Sequence, residues 1–144
     1  MSCRKSFKFS NGCFRIFAID ALSASVVATF TIEGAINCDW EDLAVGPGPF
    51  GDHFIYIGDV GGSYHHESCR KIYRVQEPEV LVSGSLPVHG ELTYQWNETN
   101  CETMMVDEKG TLLLVSKVAT GAKVYAIEDF NSRFQTVTLD RSKK

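Results

Sequence analysis

The chain has 144 residues, 44% hydrophobic and 22% charged, with a formal net charge of −4. That is room for one domain with a real core and too little for two. The acidic balance excludes the footprint of a nucleic-acid binder, and no apolar run is long enough for a signal peptide or a membrane helix, so the chain reads as soluble or as lacking its beginning.

In chain order, short β-branched and aromatic runs alternate with Gly, Pro, Asp and Asn turns, and no window sustains a capped helical period. Strands are predicted near 14–20 and 26–33. The segments opening at Glu41 and Glu102 read as innermost strands. Phe54-Ile55-Tyr56-Ile57 and Leu112-Leu113-Leu114-Val115 are continuous apolar runs, expected of strands covered on both faces.

Internal similarity organises these pieces. Arg15–Asp20, Lys71–Gln76 and Lys123–Glu128 share the pattern basic, β-branched, aromatic, variable, β-branched, polar, and start 56 and 52 positions apart. Between them, Phe30-Thr31-Ile32 matches Leu92-Thr93-Tyr94, Glu41–Val45 matches Glu102–Val106, and Tyr56–Val60 matches Leu114–Val118. Four short strands per unit at such a period predict an all-β, β-propeller-like fold. One incomplete propeller domain spans 1–144: a half blade at 14–33, a blade at 37–96 and another at 100–139, about two and a half in all. Open blade edges at both ends mark it as a fragment of a larger propeller, or as a unit whose copies self-associate to complete a ring.

Asp39-Trp40-Glu41-Asp42-Leu43-Ala44-Val45-Gly46-Pro47, Gly58-Asp59-Val60-Gly61 and Ile72-Tyr73-Arg74-Val75-Gln76-Glu77-Pro78 carry a resemblance. The chain resembles uncharacterised β-propeller-like proteins of bacteria and invertebrates. Their pattern is D-W-E-D-[IL]-A-x-G-P, then G-D-[IV]-G-D-N, then I-Y-R-x-x-E-P. The resemblance implies a larger propeller and a secreted, extracellular location. This chain departs from the pattern at Gly62-Ser63, where the family turn carries Asp-Asn. If the chain is exported, Asn97 of Asn97-Glu98-Thr99 is a glycosylation acceptor, and Cys38 and Cys101, beside corresponding inner strands, are the best candidate disulfide among five cysteines.

Asp39, Glu41, Asp42 and Asp59 form the densest carboxylate group, and Glu102 is the repeat equivalent of Glu41. Converging at the mouth of an inner strand, these five would supply oxygen ligands for Ca²⁺. The structural reading of the same residues is that they cap turns and accept backbone N–H bonds, with Trp40 packed between blades. His53, His65, His66 and Cys69 read as loop residues rather than a transition-metal site, and Gly46-Pro47-Gly48-Pro49 as a rigid turn, since Pro lacks the N–H a phosphate cradle requires. Tyr94, Trp96 and Phe130 read as blade-to-blade seals, and Arg141–Lys144 as a solvated basic tail. No catalytic motif is present, so the favoured reading is a non-catalytic binding or interaction module for a protein or small-molecule ligand, without nucleic acid or membrane. The alternatives are a calcium-dependent propeller hydrolase of the lactonase or phytase type, with Glu41 and Glu102 near the metal, and a truncated product with no function of its own.

Overall fold

A computed structural model describes residues 5–9, 14–62, 70–128, 130 and 133–139, with 5–9, 135 and 136 traced through their backbone. Among these residues there are eleven strands and no helix: β1 Lys5–Phe9, β2 Arg15–Asp20, β3 Val26–Glu33, β4 Trp40–Pro47, β5 His53–Asp59, β6 Lys71–Gln76, β7 Gly84–Gln95, β8 Cys101–Val106, β9 Leu112–Ser116, β10 Val124–Ile127 and β11 Phe134–Thr138. The protein is all-β, as its sequence predicts. β1 was not expected and extends the first group to three strands.

The strands β4 to β7 follow one another as an antiparallel meander, as do β1 to β3 and β8 to β10. The first two groups join in one curled, half-barrel mixed sheet, because β3 runs parallel to the start of β7, with Phe30 opposite Gly84. β11 runs parallel to the end of β7, with Phe134 opposite Glu91. β7 therefore carries a parallel neighbour at each end, β3 at its start and β11 at its end.

Two apolar clusters occupy opposite faces of β4–β7. On one face Ile55, Ile57, Tyr73 and Val75 pack with Ile16, Ala18, Ala28 and Phe30 of β2 and β3. On the other, Ala44, Phe54, Tyr56, Ile72 and Leu92 pack with Met104, Leu112, Leu114 and Tyr125 of β8–β10. Successive side chains of a strand point to opposite faces, so β5 is apolar without alternation because both of its faces are covered. The same expectation for β9 holds for one face only: Leu112 and Leu114 are buried, Leu113 and Val115 half-buried.

Ladder irregularities recur at matching places. In β4–β5 the register shifts between Trp40 (opposite Asp59) and Asp42 (opposite Gly58); in β8–β9 it shifts between Cys101 (opposite Ser116) and Thr103 (opposite Val115). Glu41 and Glu102 are the extra residues of these two bulges, and a bulge leaves its extra residue unpaired. A second pair of shifts falls at Ala18/Ile19 in β2–β3 and Arg74/Val75 in β6–β7. The registers also correct the sequence alignment: Leu43 faces Ile57 and Met104 faces Leu114, so Tyr56 corresponds to Leu113 rather than Leu114.

Candidate functional site

Residues 36–41 run into the start of β4 and are pinned at several points. Ile36 donates its N–H to the Tyr73 hydroxyl at 3.2 Å and accepts the Trp40 indole N–H at 2.8 Å, while the Trp40 backbone N–H donates to Asn37 Oδ1 at 3.2 Å. Burial pushes the Tyr73 hydroxyl up to about 12. Trp40 itself is buried against Tyr73, with ring centroids 6.4 Å apart.

Asp59, at the end of β5, is fully buried and closes this turn from behind. Its Oδ1 accepts the Asp39 N–H at 2.6 Å and its Oδ2 the Cys38 N–H at 3.1 Å. Burial nevertheless pushes the carboxyl up to about 6, against the pull of those two donors, and the neighbouring Asp39 charge adds to the rise. Gly61 approaches Asp39 so closely that a Cβ there would lie 2.2 Å from its carboxylate, and one at Gly62 would meet the Thr99 carbonyl at 2.7 Å. These contacts leave no room for a side chain at either glycine.

Asp42 faces the other way. Its Oδ2 accepts the Met104 N–H at 2.8 Å, stitching β4 to β8, and its Oδ1 accepts the Leu43 N–H at 2.8 Å. The two bulged glutamates lie near each other. Glu102 is ion-paired with Lys117, while burial, then the charges of Asp39 and Glu102, push the Glu41 carboxyl upward, Lys117 opposing them. Glu41 also hydrogen-bonds the Asp39 carboxylate. The five carboxylates thus divide: Asp39, Glu41 and Glu102 form an acidic rim with Lys117, whereas Asp42 and Asp59 are engaged by backbone N–H groups. Among the described residues no group of three Asp, Glu, His or Cys side chains is placed to hold a metal ion.

The cysteines depart from expectation. Cys38 is disulfide-bonded and Cys101 is a free thiol, buried at the position equivalent to Trp40, so the expected Cys38–Cys101 bridge is absent. Burial pushes the Cys101 thiol up to about 11. The partner of Cys38 lies outside the described residues, as do His65, His66, Cys69 and the basic tail Arg141–Lys144. His53 is exposed at the start of β5, and Asn97 is exposed in the turn after β7.

Tyr94, Trp96 and Phe130 are buried. Trp96 stands edge-on between Tyr94 and Tyr125, at centroid distances of 5.4 and 5.2 Å, so these rings seal β7 to β10 rather than offer a recognition surface.

Three polar features escaped the sequence reading. Lys117 follows β9 and completes the rim. Glu98, buried inside the Asn97 sequon, accepts from the Lys123 ammonium at 2.6 Å and from the Tyr125 hydroxyl. Arg74 is a buried guanidinium lying over the Phe54 ring at 5.1 Å and the Phe130 ring at 4.6 Å, with Nη1 donating to the Phe130 carbonyl. Its Nε is buried without a partner among the described residues. Alternation with Tyr73 and Val75 sets Arg74 on the other face of β6, and it is buried because both faces of that strand are covered, which no sequence signal marks.

No family model matches the chain, and no curated protein matches it.

Proposed function

We propose that the protein is a non-catalytic binding module of the β-propeller type, whose ligand meets the rim formed by Asp39, Glu41, Glu102 and Lys117. The observation that carries this reading is the matched pair of bulges, which presents Glu41 and Glu102 from equivalent positions of the neighbouring strands β4 and β8. Bulges are costly irregularities that re-aim side chains, and their recurrence at one register favours a retained purpose. The blade interpretation draws support from the four-strand meander β4–β7 and from inner strands that touch at Gly46 and Val106. The acidic rim suits a cationic or hydroxyl-rich group on a small molecule or a protein.

A calcium-dependent hydrolase draws less support: of the five carboxylates, Asp42 and Asp59 hold backbone N–H groups, and among the described residues no three acids are grouped to hold a cation. The disulfide at Cys38 favours an oxidising, extracellular compartment, and the exposure of Asn97 makes glycosylation there feasible.

The test is an NMR titration of the isotope-labelled chain with amine, sugar and basic-peptide ligands, alongside assays on simple lactones, esters and phosphomonoesters. Shifts centred on Glu41, Glu102 and Lys117 that vanish in an E41Q/E102Q variant are expected, with no turnover. Calcium-dependent turnover, or ligand shifts that avoid this rim, would overturn the reading.

A further inference from the structure

The sheet β8–β10 has one covered face and one bare one. Met104, Leu112, Leu114, Tyr125 and Ile127 enter the core. The opposite face carries two cross-strand rows, Thr103–Val115–Val124 and Met105–Leu113–Ala126. Met105 is 45% exposed and Val124 60%. Contiguous apolar surface of this kind marks an interaction site.

The structure itself shows what covers such a face. Register pairs Ala44 with Tyr56 and Gly58 with Ile72 in β4–β6, the counterparts of Met105 with Leu113 and Val115 with Val124. All four residues of the first set are buried, on the side that packs against β8–β10. The bare face of β8–β10 is therefore the equivalent of a surface that already packs against the next sheet within the chain.

At the other end of the chain the complementary surface is only half-covered. On β2, Phe17 and Ile19 point away from the Ile16 and Ala18 side; in the repeat alignment they correspond to Tyr73 and Val75, which are buried against β2 and β3. Val27 of β3 extends this surface and is 46% exposed.

Resting on the propeller-type reading, we propose that a second copy of this chain docks its β2–β3 face onto the bare β8–β10 face of the first. The contact is heterologous, a head-to-tail junction that repeats the packing already present between successive sheets, and successive copies close into a ring or extend as an open array.

The test uses sedimentation velocity and light scattering of the 144-residue chain over a concentration series, with Val124→Lys on one face and Val27→Lys on the other. Both positions are exposed, and far-UV circular dichroism checks that each variant keeps its fold. The wild-type chain is expected to assemble, and each substitution to weaken assembly by roughly a hundredfold, since a charge is buried without a partner. Mixing V124K with V27K is expected to restore a one-to-one complex, because each variant keeps the face the other lacks. A wild-type chain monomeric at high concentration, or a mixture that fails to complement, overturns head-to-tail docking; complementation failure with wild-type assembly intact points to a face-to-face contact instead. Coupling between Gly46 and Val106, measured within the monomer, reports separately on the propeller-type packing.

Discussion

Replacing Asp59 with Asn isolates the cost of ionising a carboxyl that is fully buried. Burial raises the group from its ordinary 3.8 to about 6, despite the two N–H donors of Asp39 and Cys38. A carboxyl whose folded-state pKa lies above its unfolded value binds more protons in the native protein between those limits. Its contribution to stability is therefore full below about pH 4, is lost as pH rises through about pH 6, and is flat beyond. At about 1.4 kcal/mol per pH unit, the loss comes to roughly 3 kcal/mol. Asn cannot ionise, so the stability of D59N minus that of the wild type should grow by about 3 kcal/mol between pH 3.5 and pH 7.5, whatever its starting value. Urea unfolding under non-reducing conditions, at matched slopes, measures that difference at each pH. A gap that stays flat would mean that Asp59 titrates as it does in the unfolded chain. A gap that shrinks with pH would mean that the two N–H bonds outweigh burial, and the reasoning would be wrong in sign.

Cys101, buried with its thiol raised to about 11, should resist iodoacetamide in the native protein and react once the chain is unfolded in guanidinium; native labelling read by mass spectrometry would contradict that burial. A Cβ at Gly46 would lie 2.5 Å from Val106 Cγ1, so G46A should cost about 1–3 kcal/mol and V106A should recover much of it, giving a non-additive double-mutant cycle in urea unfolding. Arg74→Ala should cost about 2–4 kcal/mol by opening the gap between Phe54 and Phe130, whereas Arg74→Met should cost less than about 1.5 kcal/mol because it fills that gap without a buried charge. Millimolar calcium should leave the melting temperature unchanged, since Asp42 and Asp59 are held by backbone donors and the remaining acids among the described residues are not grouped to hold a metal ion; a calcium-dependent rise would contradict that placement.

How far the fold was legible depends on what each segment shows on its surface. β2 and β3 were readable to within a residue, because each is a β-branched and aromatic run bounded by polar and turn residues. β1 was hidden: Lys5, Ser6 and Lys8 interleave Phe7 and Phe9 in a stretch too short for alternation to stand out. The match of β5 to β9 slipped by one because both are apolar at every inner position, so no period distinguishes one face from the other. The Cys38–Cys101 pairing failed for a related reason. Cys101 corresponds to Trp40 and points into the core, while Cys38 lies two residues upstream, in the turn that Asp59 holds.

The acidic cluster shows where sequence stops informing chemistry. Asp39, Glu41, Asp42 and Asp59 read alike as charges, and only the backbone decides which oxygens remain for a ligand. A one-residue bulge between Trp40 and Asp42 separates them: Asp42 turns to the Met104 N–H across the strands, whereas Glu41 is displaced toward Asp39 and Glu102. Had β4 paired with β5 without the bulge, strict alternation would set Glu41 on the face opposite Asp42 with a cross-strand partner of its own. The same step at Glu102 places a second carboxylate beside the first, and Lys117 offsets part of their repulsion. A rim made this way depends on backbone geometry more than on the identity of any single acid. Its acidity should therefore survive Glu-to-Asp changes at either bulge better than a deletion that restores regular pairing.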